Sequence, residues 1–369
     1  MKVYLPVSKI RIFLGTLASV FFFLACLYAC TSEKKQNNQV IEEVALDGTD
    51  TKDIGPATLS SYGFFVGKLA DLQPANDLIP YELNTPLFTD YAHKLRFIKL
   101  PEGSTMKYHP SEVLDFPVGT VLIKNFYYPL DFRQPHGERN IIETRLLTHK
   151  EAGWEALTYV WNEEQTEAYL QIAGDTRAVA WLDEQGQNRQ VNYSVPSVTQ
   201  CKGCHEKSEK LMPIGPTVRQ LNQHGEANQI VGWEENGWLS EAPPKHTWPQ
   251  VPIWDKAETG VLDARARAWL EINCAHCHRA EGPAKTSGLF LLTSETNPLH
   301  VGVGKPPVAA GKGSGGLQYG IVPGKPEESI LYYRINSSHP GIMMPELGRK
   351  LIHTEGVALI KQWIEEMEK

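Results

Sequence analysis

One five-residue pattern occurs at two places in this chain, as Cys201-Lys202-Gly203-Cys204-His205 and as Cys274-Ala275-His276-Cys277-His278. With six cysteines and twelve histidines in 369 residues, chance placement gives roughly 0.003 such pentads per chain. Each copy must present two thiols and an imidazole on one side of a short segment, and the fold has to leave room beside both. No other feature restricts the architecture as strongly.

Cys-x-x-Cys-His is the attachment signature of c-type haem. Two thiols three positions apart each add across one vinyl group of the porphyrin, and the adjacent histidine offers a ring nitrogen to the iron. The expectation is two covalently bound haems c, held by Cys201, Cys204 and His205 and by Cys274, Cys277 and His278. A zinc site is the first competing reading, since two Cys-x-x-Cys knuckles supply four thiolates. Sixty-nine residues separate Cys204 from Cys274, beyond the usual ribbon spacing of about 15 to 20, and zinc leaves the repeated histidine unexplained. Two disulfides are the second competing reading in an exported chain.

The start of the chain carries an address. Lys2, Lys9 and Arg11 precede an apolar run over 12–29, the layout of a secretion signal over residues 1–29. Leu27-Tyr28-Ala29-Cys30 resembles a bacterial lipoprotein cleavage site, which implies a lipid on Cys30, with Phe23-Leu24-Ala25-Cys26 as a competing site. An uncleaved membrane anchor is the alternative. Both place the body outside the cytoplasmic membrane, periplasmic or on an outer face, where covalent haem attachment takes place in bacteria. Removal of residues 1–29 deletes three positive charges and no negative one, taking the net charge from −7 to −10. Such a surface excludes nucleic acid as a partner and suits a basic redox protein. The four cysteines beyond Cys30 all belong to the pentads, so none is left for a structural disulfide.

After a polar tether over 30–55, residues 56–198 read as β-rich. The runs are 96–100, 121–127, 141–147, 156–161, 167–172, 177–181 and 189–195, with Gly153, Gly174 and Gly186 between them as turn residues. An antiparallel sandwich or barrel is expected there. Residues 199–260 hold the first pentad, which no amphipathic helix precedes, then a short helix over 216–224 and a linker stiffened by Pro243, Pro244, Pro249 and Pro252. Residues 261–369 read as helical: Leu262, Ala266, Trp269 and Leu270 share one helix face leading into Cys274, with Asp263 as its cap. Further helices follow over 326–335 and 354–367.

With Gly341-Ile342-Met343-Met344-Pro345 between the last two helices, the C-terminal part resembles a class I cytochrome c domain. The whole chain resembles a two-haem c-type cytochrome lipoprotein. The resemblance implies a multidomain fold, an N-terminal all-β module followed by a mainly α-helical cytochrome c domain. It also implies Met344 as the second axial ligand of the second haem, with Met343 as the neighbouring alternative. For the first haem Met212 is the nearest sulfur, and His224, His246, His276 or an open position are the alternatives. The expected function is electron transfer between redox protein partners at a membrane surface. A peroxidase-like haem enzyme, or the electron-accepting subunit of a dehydrogenase whose β module binds substrate, is the alternative.

Overall fold

A computed structural model describes residues 54–225 and 228–368. The signal segment, Cys30 and all but the last two residues of the tether lie outside the described residues. Among the described residues no helix is long and apolar enough to cross a membrane.

Six strands, β1 (Leu78–Pro80), β2 (His93–Lys99), β3 (Val121–Pro129), β4 (Arg139–Lys150), β5 (Gly153–Trp161) and β6 (Ala168–Leu170), form one antiparallel sheet in chain order. The β4–β5 connection is a two-residue turn, whereas β2 and β3 are joined by an excursion over 100–120 that carries the short strand Met106–Lys107. Gly153, at φ +117°, closes the two-residue β4–β5 hairpin in a conformation a side chain resists. The period of two divides the residues cleanly. Phe97, Ile123 and Leu146, cross-strand partners in register, pack against Leu59, Phe64 and Leu72 on one face. Ile98, Leu122 and Leu147 face the other way, against Val218, Leu221, Ile230 and Trp233. Further along that second face, Phe126 and Val160 meet Val179, Trp181 and Val191 of a separate hairpin, β7 (Asp175–Leu182) with β8 (Asn188–Val195). Burial of each such side chain contributes roughly 1.5–3 kcal/mol.

Four helices matter for the site: α1 (Val198–His205), α2 (Leu262–Leu270), α3 (Ile330–Ile335) and α4 (Thr354–Glu365). On α2 and α4 the residues Ala266, Trp269, Leu270, Val357, Ile360, Trp363 and Ile364 make one core. The Asp263 carboxylate does not cap α2. The N-cap is Val261 without a side-chain bond, and Asp263 Oδ1 instead accepts a hydrogen bond from Trp363 Nε1 at 2.8 Å, tying α2 to α4.

The expected fold class is corrected here. The chain is mixed α/β, 25% helix and 25% strand around the six-stranded sheet, and its C-terminal part is not a mainly α-helical cytochrome c domain. The physical reason is the distribution of glycine and proline. Between the α2 segment and α3 lie Gly282, Pro283, Gly288, Pro298, Gly302, Pro306 and Pro307, which break helices or reward positive φ. That stretch is short 3₁₀ turns, bends and the single helical turn Pro298–Val301. Residues 54–369 also cluster as one unit. The region anticipated as a stiff linker contributes Trp233, Leu239 and Trp248 to the core on the second face of the sheet.

Candidate functional site

The first pentad lies on α1, whose start is a capping box. Ser197 Oγ accepts from the Gln200 backbone N–H, and the Gln200 side chain accepts from the Ser197 N–H. The Ser-x-x-Gln signature was the sequence signal for this helix, which the apolar pattern does not show. Cys201 and Cys204 sit one turn apart on a common face, and His205 ends the helix. Its Nδ1 lies 2.8 Å from the Met212 carbonyl, while the Met212 N–H donates to the His205 carbonyl at 2.7 Å. A carbonyl only accepts, so Nδ1 carries the proton and Nε2 keeps its lone pair. Burial pushes the imidazole down to about 4, which keeps it neutral and able to ligate a metal.

The second pentad repeats this arrangement from different elements. α2 runs into a wide π turn over Glu271–Ala275, and the Cys277 and His278 N–H groups both bond back to the Cys274 carbonyl. His278 Nδ1 lies 3.2 Å from Ser287 Oγ, whose own proton goes to the Ala284 carbonyl at 2.7 Å. The hydroxyl therefore accepts from His278, and Nε2 is again the free nitrogen. Burial also pushes His278 down to about 4.

Each pentad opens on its own cavity. Cys201, Cys204 and His205 line one of about 1640 Å³, and Cys274, Cys277 and His278 line one of about 1460 Å³, both volumes including their solvent-filled mouths. The two cavities meet where the Cys204 and Cys277 sulfurs are neighbours. The Cys277 thiol and the His276 imidazole hold the Cys204 thiol below the ordinary range, which makes it the readier nucleophile. Cys201 and Cys274 are both raised by burial. Among the described residues no three His, Cys, Asp or Glu side chains converge on a metal position. The four cysteines among the described residues are free thiols. The donor set therefore does not fit one shared tetrahedral zinc. It fits two haems, each of which asks one or two axial donors of the protein.

The loop carrying Met344, Pro345 and Leu347 is a wall of both cavities. It rests directly on α1, since a Cβ on Gly203 would come within 3.2 Å of Leu347 Cδ1. Met343 is 7% exposed and lines neither cavity. Met212 lies in a third cavity beside His205, with its backbone behind Nδ1, the nitrogen that faces away from any metal on Nε2. His224 bonds the Val251 carbonyl at 2.9 Å, and both His224 and His246 line a separate surface hollow. His276 is in the walls of both pentad cavities, and its Nδ1 is buried without a partner among the described residues.

Neither a scan of protein-family models nor searches of curated proteins and solved structures find a match for this chain. The geometry alone carries the functional reading.

Several residues of the site gave no sequence signal. Arg349, 5% exposed, donates through Nη2 to the carbonyls of Met344 at 2.7 Å and Ser337 at 2.8 Å, and through Nη1 to that of Leu351 at 3.0 Å. The Asp90 carboxylate accepts from the Lys350 and Leu351 N–H groups, each at 2.7 Å, which pins the end of the loop to the sheet side of the molecule. His353, in the wall of the first cavity, stacks on Phe88 at 4.2 Å between ring centres. Its Nδ1 accepts from Trp269 Nε1 at 3.0 Å, so its proton is on Nε2.

Proposed function

We propose that this chain is an exported, lipid-anchored two-haem c-type electron carrier. The carrying observation is the paired geometry. Two Cys-x-x-Cys-His segments on unrelated elements each present a neutral histidine with a hydrogen-bonded Nδ1 and a free Nε2, each beside a cavity, with Cys204 and Cys277 in contact. Cys201, Cys204, Cys274 and Cys277 would attach the two groups, and His205 and His278 would be their axial ligands. Bound haem supplies reversible one-electron chemistry. The polypeptide's part is to fix both imidazole tautomers, to exclude water with the core around Trp269 and Leu291, and to hold Met344 at both cavities through Arg349. Neighbouring attachment thiols favour passage of an electron from one site to the other inside the molecule. The acidic surface and the lipid on Cys30 support docking of redox proteins at a membrane.

A second reading, a haem enzyme, is favoured by one fact. Met344 lines both cavities, and a single thioether serves one iron only. Met212 lines neither cavity and faces the wrong side of His205, so one of the two sites has no sulfur donor. The deciding experiment is a pyridine haemochrome assay with intact-mass measurement on protein matured in a periplasm, followed by oxidised and reduced spectra. Two haems per chain with low-spin spectra support the carrier. Colourless protein of bare polypeptide mass overturns the proposal, and a five-coordinate high-spin site that turns over peroxide transfers it to the enzyme.

A further inference from the structure

The first cavity has a wall that attachment of a haem does not explain. Arg96, Lys124 and Arg145 are direct cross-strand partners on β2, β3 and β4, and they stand in a line on one face of the sheet. All three line the cavity of the first pentad. The row runs on to Thr158 of β5 and is flanked on the same face by Lys94. Like charges on facing residues of neighbouring strands, about 4.8 Å apart, repel. Here they do so in the cavity wall, where Arg96 is 4% exposed and Arg145 25% exposed at its side chain.

The charges are only half compensated. Arg96 pairs with Glu82 at 3.0 Å and Arg145 with Glu143 at 2.5 Å. Lys124 has no carboxylate partner among the described residues, and its ammonium lies over the Phe126 ring at 4.8 Å. Burial and the flanking guanidinium groups push it well below the ordinary lysine value. Lys94 is pushed down to about 7 by the same causes. The Thr158 hydroxyl at the end of the row is wholly buried against the Cys201 thiol. A buried amine between two guanidinium groups keeps its proton only at a cost, which an anion in the cavity would offset by completing the row.

We infer that Arg96, Lys124 and Arg145 form a carboxylate-binding site in the wall of the first cavity, separate from the attachment residues. The charge comes either from a small free carboxylate entering the cavity or from the propionates of a haem attached there. Position favours the free carboxylate. Arg145 lies near the Cys201 thiol, on the side where a haem would be attached, whereas the propionates of a haem leave from the opposite edge. The site rests on the proposed function only for that second source.

The test titrates succinate into the mature full-length protein at low ionic strength, by calorimetry and by the Soret band. Lys124→Met should weaken succinate binding tenfold or more, Lys124→Arg should stay within about threefold of the parent, and Lys361→Met, whose ammonium points away from the cavity to Glu327 and Glu365, should leave it unchanged. If the parent does not bind succinate but Lys124→Met alters the pH dependence of one haem potential, the carboxylate site stands with the propionates as its occupant. If the parent ignores succinate and neither potential responds, the inference is overturned. Folding of Lys124→Met is checked by circular dichroism, with Lys124→Arg as the second variant. Calorimetry also reads the row in colourless protein, so failure of haem attachment is distinguishable from failure of this site.

Discussion

Gly356→Ala separates two opposing effects that the structure sizes. Gly356 is in the first turn of α4, where helix propensity alone makes alanine better by up to about 1 kcal/mol. The structure predicts the opposite sign. A Cβ at this position would lie 2.4 Å from Trp269 Nε1 and 2.7 Å from His353 Nδ1, the two atoms that bond each other at 3.0 Å beneath the helix. Neither neighbour yields easily. Trp269 is 3% exposed in the core between α2 and α4, and His353 is held against Phe88. Overpacking of this kind costs about 1–3 kcal/mol, and separation of the indole N–H from its acceptor adds about 1 kcal/mol. After subtraction of the propensity gain, a net loss of about 1–3 kcal/mol is expected. Urea unfolding of the mature protein should show it as a lower midpoint at unchanged slope. A variant as stable as the parent, or more stable, would refute the close approach of α4 to Trp269 and His353.

Arg349→Met strands the Met344, Ser337 and Leu351 carbonyls and should cost about 2–4 kcal/mol in thermal unfolding, while a loss under 0.5 kcal/mol would show that the loop is held by other means. Met344→Ala should abolish the sulfur-to-iron charge-transfer band of the oxidised protein; persistence of the band removes Met344 from the iron. His353 is lowered by burial to about 3, so the unfolded chain takes up its proton first as pH falls, and the stability it gives is full above about pH 6.5 and is lost toward pH 3. Between pH 7.5 and 4.5 the parent should lose about 3 kcal/mol more than His353→Phe, and parallel losses in the two proteins would count against a buried neutral imidazole.

What was legible in the sequence followed from local rules. The β-branched and aromatic runs in 121–127 and 141–147, bounded by turn residues, mark β3 and β4, and the structure extends those strands to Val121–Pro129 and Arg139–Lys150. The apolar stripe of Val357, Ile360, Trp363 and Ile364 marks α4 because 3.6 residues make a turn. The cationic row was not legible, since each residue reads alone as a polar position of an amphipathic strand. Only the registry of Arg96 with Lys124, and of Lys124 with Arg145, reveals it. Arg349 and Asp90 were invisible for a related reason. Their partners are backbone carbonyl and N–H groups, which no side-chain pattern encodes. The helical reading of the C-terminal part failed because three true helices were extended across a stretch that glycine and proline keep irregular.

The meeting of the pentads is built into the polypeptide rather than left to the groups the pentads would hold. Glu271, 8% exposed at its side chain, starts the π turn before Cys274 and accepts from Arg219 Nε at 2.6 Å, from the Thr293 N–H at 2.7 Å and from the Thr293 hydroxyl at 2.7 Å. Arg219 belongs to the short helix Val218–Leu221, packed under the sheet. On the other side of the second pentad, Arg279 pairs with Glu112 at 2.7 Å, and Glu112 also binds Lys207, two residues past His205. Those two cations hold the Glu112 carboxyl down at about 2. The Phe88 N–H adds a bond to Asn273 Oδ1 at 2.9 Å. Removal of one member of a buried pair such as Arg219–Glu271 costs about 3–5 kcal/mol, far more than the pair's net contribution, because it leaves a charge without solvent. Such contacts are weak as sources of stability and strong as specifiers of position. They flank Cys274 and His278 on both sides and reach the segment after His205, so the contact of Cys204 with Cys277 is set by the chain's own charges before any cofactor arrives.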